Sequence, residues 1–515
     1  MNDSKNAVVT TTGGRVEGSY EDNLYVFKGI PYAAPPVGKL RWEPPQPVKP
    51  WDGVRPAKKY GNMAPQNAMP FAMPGMPAFE EPQSEECLFL NIWTPGIDDA
   101  KRPVMFYIHG GAFIIGAGSE PVLKGGKLAR RGDIVLVSIN YRLGALGFLN
   151  LNEVTGSKIR ATGNEGILDQ IAALDWVQDN IAAFGGNPDD ITIFGFSAGG
   201  MSVGTLLGIP LARGKFHKAM NRSGAANVVA PLDNAVKMSE RYLELLDLTG
   251  RDADALRNLT PQQLLDGQQQ LSMKVRETES RATPFIPVVD GVKIPEWPID
   301  AIKKGLSKNI PVMAGNALDE LKAPNMMMDP AMHNMNEAEL NRRLNKLLPS
   351  DMVPGLINTY RDALKKRGSK ADFADVLGTV GVDLMFRMTT LQLVEAQRDN
   401  GAPAYNYLFT YKSPAMGGVL GAMHGLDNPF LFGNLEPQLC GTGPAVENLA
   451  VKIQDSAIAF ARNGNPSCES IGEWPAYGRE RMTMILDKDT RVEGAPYEDE
   501  RCAWEGYEIS HTLPL

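Results

Sequence analysis

The sequence predicts an α/β protein, a central, mostly parallel twisted sheet with helices on both faces and helical insertions over its C-terminal edge. Three observations carry that prediction. The near-continuous apolar runs at 87–93, 103–109 and 134–140 have the pattern of strands buried on both faces. After Asn164, apolar residues at 167, 168, 171, 174 and 177 recur at helical spacing and predict a helix to about Phe184, ended by Gly185-Gly-Asn-Pro. Residues 191–194 then read as a buried strand and 198 onward as a helix, so strand and helix alternate as in doubly wound folds.

Before the main sheet, the alternation at 7–12 and 15–20 predicts a small antiparallel hairpin. The prolines from Pro31 to Pro50 force an extended surface path, and the Pro- and Met-rich stretch 63–82 reads as a long loop. Beyond Ser223 the pattern is mostly helical, with helices expected at about 234–248, 261–272, 336–366 and 383–398. Strands at 310–315 and 404–411 interrupt them as continuations of the sheet. A last helix at about 445–462 leads to a closing hairpin, and no linker separates independent domains. The expected unit is therefore one domain, 1–515, with lid and rim insertions near 60–83, 230–280 and 321–400.

Bulk composition excludes several classes of function. A net charge of -8 disfavours a nucleic-acid backbone as partner, and no apolar run approaches a membrane span. Met1-Asn-Asp-Ser-Lys has no apolar stretch behind it, which reads as a cytoplasmic protein. Cysteines at 87, 440, 468 and 502 lack both metal-ligand spacing and disulfide density, and read as thiols in a reducing compartment. Histidines at 109, 217, 333, 424 and 511 are scattered without an H-x-x-x-H pair, so neither metal nor cofactor is implied. Composition leaves the oligomeric state open, with a monomer the favoured reading.

Gly195-Phe196-Ser197-Ala198-Gly199 sits between the strand and helix just described and fits a nucleophile elbow. There the serine occupies a strained turn, and a Cβ on either flanking glycine would collide with strand or helix. Gly200-Met201-Ser202-Val203-Gly204 also matches the pattern but lacks a preceding strand, so Ser202 reads as a helix serine. A serine hydroxyl needs a base, and the base an acid to orient it, in the chain order Ser, acid, His. Downstream of Ser197 stand His217, His333, His424 and His511; His424 lies in a glycine-flanked loop after the 404–411 strand, suited to reach over the sheet edge. Asp319 and Glu320 both follow the 310–315 strand, and spacing does not separate them. His109-Gly-Gly-Ala-Phe follows another buried strand, so the N–H groups of Gly111, Ala112 and Ala198 are candidates to hold an oxyanion.

These segments, with Phe27 to Gly38, Ser84 to Trp93, Asn140-Tyr-Arg-Leu-Gly, Asn164 to Gln170, Pro287-Val-Val-Asp-Gly and Asp319-Glu320, resemble the type B carboxylesterases, which include bacterial para-nitrobenzyl esterases and the cholinesterases. The resemblance spans nearly the whole chain. It implies the α/β-hydrolase fold, a triad of Ser197, Glu320 and His424, and an oxyanion hole at Gly111, Ala112 and Ala198. It also puts Ser223 beside the triad acid and Phe196 where the family usually has Glu, which removes a charge next to the nucleophile. Ala112 replaces a common glycine and Leu321 another. Cys87 matches a cysteine that secreted relatives pair with an upstream one, but Ala64 stands there, so that disulfide cannot form.

The expected function is serine carboxylesterase activity on small esters through an acyl-enzyme at Ser197. The same residues would also serve an amidase, a carbamate hydrolase or an acyltransferase. A binding module without activity is the remaining class, and relatives of that kind characteristically lack the serine. Phe113, Met73 and Met327 are expected to line the substrate pocket, because thioethers make adaptable apolar walls; the alternative is that the Met-rich segments merely fill gaps in a lid.

Overall fold

The computed structural model describes residues 7–68, 81–279, 284–322, 332, 334–507 and 509. Its main sheet has 11 strands. In chain order these are β1 (Ser19–Glu21), β2 (Leu24–Pro31), β3 (Phe89–Thr94), β4 (Arg102–Ile108), β5 (Val135–Ile139) and β6 (Gly186–Phe196), then β7 (Lys218–Arg222), β8 (Val312–Ala317), β9 (Ala404–Phe409), β10 (Met482–Leu486) and β11 (Arg491–Gly494). They lie in the order β11-β10-β9-β8-β7-β6-β4-β5-β3-β2-β1. Neighbours are parallel from β10 across to β5 and antiparallel outside that block. A separate small sheet carries the expected hairpin, Val8–Thr11 against Gly14–Glu17, with Val54–Pro56 added alongside.

Successive side chains of a strand point to opposite faces, and each face has its own core. In β4, Val104, Phe106 and Ile108 join the core under helices Glu165–Asn180, Ala198–Leu207 and Met388–Asp399. Met105 and Tyr107 join the other, under helix Pro444–Asn463. Both faces of the central strands are therefore covered, which is why these strands read as unbroken apolar runs.

The register aligns the C-terminal ends of the central strands. Ile108 pairs with Gly195, Phe196 with Arg222, and Arg222 with Gly315. The segments that follow β4, β6, β7 and β8 thus leave the sheet along one edge, and this edge gathers the residues discussed below.

Three details differ from expectation. Strand β7, Lys-Ala-Met-Asn-Arg, is wholly buried, because Lys218 pairs with Asp190 and Arg222 with Asp427; its charged ends conceal a central strand. The single helix expected at 336–366 is two, Glu337–Leu347 and Val353–Lys366, broken around Pro349-Ser-Asp, with Asn336 capping the first and Pro354 in the first turn of the second. Helix Phe373–Val382, capped by the Asp372 side chain, was not expected. It runs through a π-helical turn, Asp383–Arg387, into helix Met388–Asp399, which packs on β8 and β9 as part of the sheet's own cover.

Candidate active site

Ser197 ends β6 and opens helix Ala198–Leu207 with φ +56 and ψ -125, a conformation few non-glycine residues adopt. The turn closes because of its glycines. A Cβ on Gly195 would fall 2.3 Å from the Gly199 carbonyl carbon, and one on Gly199 would fall 2.0 Å from the Ile108 oxygen. The Ser197 N–H is held by the Arg222 carbonyl at 3.0 Å, tying the elbow to the neighbouring strand. Ser202 lies inside the helix, fully buried, where its hydroxyl accepts from Gln170 at 3.0 Å.

His424 reaches this serine from the other side of the edge. Its Nε2 lies 2.9 Å from Ser197 Oγ, and its Nδ1 bonds to Glu320. A carboxylate accepts, so Nδ1 carries the proton, and Nε2 is left with the lone pair that accepts the serine hydroxyl. Glu320 is wholly buried, and its other oxygen accepts the Ala317 N–H at 2.6 Å. The neighbouring acid does something different. Asp319 accepts the Ala422 N–H at 2.8 Å and donates its own N–H to the Ala422 carbonyl at 3.0 Å. Gly421, at φ +64, leaves just enough space, since a Cβ there would fall 2.3 Å from Asp319 Oδ2. The two acids that spacing could not separate thus hold the histidine loop together, Glu320 by the imidazole and Asp319 by the main chain.

The loop after β4 lies against the elbow; a Cβ on Gly110 would meet the Ser197 Cβ at 3.1 Å. His109 is fully buried and stacks on Tyr141 at 4.4 Å, and its Nδ1–H donates to the Gly110 carbonyl at 2.8 Å. Burial pushes its imidazole down to about 4, so it is neutral near pH 7. The C=O and N–H of a trans peptide point opposite ways, so drawing the Gly110 carbonyl to the ring turns the Gly111 N–H away from it. Gly111 has φ +107, Ala112 +52 and Phe113 +61, a run of left-handed residues that only Gly111 adopts without strain. Among the described residues, the N–H groups of Gly111, Ala112 and Ala198 donate to no backbone acceptor outside helices and strands. An oxygen bearing negative charge near Ser197 would find donors at the helix N-terminus and in this loop.

Other sequence-selected residues fall at varied distances from this centre. Phe196 packs its ring on His424, with centroids 4.5 Å apart, and Phe386, from the π-helical turn, packs there at 5.4 Å. Ser223 is buried at φ +45 with its N–H on the Gly315 carbonyl, and its hydroxyl has no hydrogen-bond partner among the described residues. Phe113, expected at the pocket wall, is a fully buried core residue edge-on to Phe148, because its left-handed backbone turns the ring inward. Met73 and Met327 lie outside the described residues, while Met63 and Met332, from the same Met-rich segments, are buried. His217 accepts the Ile191 N–H midway along β6, away from the serine. Composition had not pointed to Arg222, Asp427 or Phe386. Arg222 and Asp427 form a buried ion pair that joins the strand holding the Ser197 N–H to the helix just after His424. Among the described residues, no group of three or more His, Cys, Asp or Glu could hold a metal ion, and no helix is long and apolar enough to cross a membrane.

A family model for the carboxylesterase family matches residues 5–504. The chain is 36% identical to the para-nitrobenzyl esterase of Bacillus subtilis (strain 168), over 96% of this chain and 97% of that protein. It is 34% identical to the liver carboxylesterase of Sus scrofa, over 94% of this chain and 90% of that protein. A crystal structure of a Geobacillus stearothermophilus carboxylesterase superposes with a TM-score of 0.84 at 36% identity, covering 97% of this chain and all of that one. With fold, elbow and relatives in agreement over almost its whole length, the chain belongs to the carboxylesterase family: it is a carboxylic ester hydrolase of the α/β-hydrolase fold.

Proposed function

We propose that Ser197, His424 and Glu320 form the catalytic triad and that the N–H groups of Gly111, Ala112 and Ala198 form the oxyanion hole. The observation that carries this reading is the unbroken relay from Glu320 through His424 to Ser197 Oγ. His424 takes the hydroxyl proton as Oγ bonds to the ester carbonyl carbon, and the carbonyl electron pair moves onto its oxygen, held by the three donors. The pair returns, the C–O bond to the alcohol breaks, and the alcohol leaves with the proton from His424. Water then attacks the acyl-enzyme by the same route, and the free acid leaves. Glu320 orients the imidazole and steadies the imidazolium in both halves.

The substrates are small carboxylic esters; the name of the Bacillus subtilis relative makes para-nitrobenzyl esters suitable probes. The chain works as one catalytic domain, in which the segments near 60–83 and 230–280 and the part of 321–400 before helix Met388–Asp399 shape access to the edge, while that helix covers the sheet. We further read the protein as a monomer in a bacterial cytoplasm. Its bacterial relatives and its unpaired cysteines support that location, with Cys440 pushed up to about 11 by burial and Cys87 pushed up as well. Replacing Ser197 with Ala tests the centre: hydrolysis of para-nitrobenzyl acetate should fall by roughly 10⁴ or more with the fold intact. Retained turnover in that variant rules the triad out.

A further inference from the structure

We propose that Phe196 sets selectivity on the alcohol side of the ester, favouring leaving alcohols that carry an uncharged aromatic ring. This rests on the triad reading above, because it follows from where the leaving oxygen must sit. To receive its proton from His424, that oxygen must come within hydrogen-bond reach of Nε2. The group attached to it therefore lies against whatever surrounds the imidazole.

Among the described residues, two rings pack on that imidazole, and they differ in exposure. Phe386 is buried, held at the back by the π-helical turn. Phe196 is only half-buried, immediately precedes the nucleophile, and lies 4.5 Å from the His424 ring. Its room comes from two glycines. A Cβ on Gly110 would fall 3.1 Å from Phe196 Cδ1, and one on Gly425 would fall 2.9 Å from Phe196 Cζ. The ring thus bridges the loop of the oxyanion donors and the loop of the histidine, forming a wall beside the leaving oxygen.

The charge around this wall suits a neutral partner. Glu320 is fully buried and bonded to His424 and Ala317, and Asp319 accepts from Ala422, so neither carboxylate is free to meet a cationic alcohol. An aromatic alcohol can set its ring against Phe196 in an offset or edge-on arrangement, whereas a saturated ring of the same size gains contact area alone.

The test compares benzyl acetate with cyclohexylmethyl acetate, which differ only in the aromaticity of the alcohol ring. In Phe196→Leu the benzyl preference, expressed as a ratio of kcat/KM values, should fall about fivefold, the size of one ring–ring contact. The ratio of benzyl acetate to benzyl butyrate, which probes the acyl side, should stay within about twofold, as expected for a contact that the acyl group does not share. A ratio cancels any loss of folded enzyme. An unchanged benzyl preference in the variant overturns the proposal. Product inhibition of the native enzyme is a second readout: benzyl alcohol should inhibit more strongly than cyclohexylmethanol, and equal inhibition also overturns it. Loss of hydrolysis in Ser197→Ala with an unchanged benzyl preference in Phe196→Leu sinks this inference alone, whereas retained hydrolysis in Ser197→Ala sinks the reading beneath it.

Discussion

Asp319 grips Ala422 by both ends, accepting its N–H at 2.8 Å and donating to its carbonyl at 3.0 Å, two residues before His424. Geometry at the imidazole therefore depends on a side chain that never touches it. Asp319→Ala should lower kcat by roughly 10- to 100-fold through misplacement of the His424 imidazole, with KM little changed. Asp319→Asn, which keeps an acceptor, should recover most of the loss. Steady-state kinetics of the two variants decide the matter, and an unimpaired alanine variant would show that the loop holds its own shape.

Ala112 occupies a left-handed conformation, φ +52, that suits glycine. Ala112→Gly should raise stability by about 1 kcal/mol by relieving that strain, partly offset by the freer unfolded chain. Its N–H remains, so turnover should hold. Gly111→Ala should do the reverse, since its Cβ would fall 2.1 Å from the Ile115 oxygen. Thermal unfolding alongside an esterase assay separates the two effects.

Burial holds the His109 imidazole at about 4 against an ordinary 6.5. Between those values the unfolded chain binds a proton that the folded chain refuses. Its contribution is therefore complete above pH 6.5 and is lost as pH falls toward 4. By pH 5 the loss should be about 2 kcal/mol. Urea midpoints at pH 7 and pH 5 should diverge less in His109→Gln than in the native protein; equal divergence would mean that the ring bears none of the acid sensitivity.

Arg222 and Asp427 are almost fully buried partners, and Arg222 also donates to Asn428 at 2.8 Å. Arg222→Met should cost about 3–5 kcal/mol, because Asp427 would be left as a buried charge without its partner. Adding Asp427→Leu should restore part of that loss. A double-mutant cycle in denaturant measures the coupling, and strictly additive losses would mean that the pair is not energetically linked.

Reading from sequence worked where a backbone conformation demands one residue type, and failed where burial depends on a distant partner. Gly195 and Gly199 mark the elbow because any side chain there meets backbone within 2.3 Å. The central strands announced themselves because both of their faces are covered. Strand β7 did not, since Lys218 and Arg222 are buried only by virtue of Asp190 and Asp427, from other segments. On spacing alone Asp319 and Glu320 were a tie, because adjacent residues after a strand share every local signal; only the family resemblance pointed to Glu320, and what separates the two is which partner each one meets. Phe113 follows Ala112 directly in the loop after β4, yet its ring is fully buried in the core, a placement that no local pattern announces. Phe386 carries no local mark at all.

The π-helical turn that delivers Phe386 has a bearing on how this chain tolerates insertions and deletions. Such a turn accommodates one residue more than an α-helix would over the same rise. Deleting any one residue of Asp383–Arg387 would let the segment relax to regular helix while Phe373–Val382 and Met388–Asp399 keep nearly their present orientation, because the wide turn alone takes up the extra residue. Both flanking helices would keep their seats, and what would be lost is the widened turn that aims the Phe386 ring at the imidazole. Length, at this one place, matters to the surroundings of His424 as much as side-chain identity.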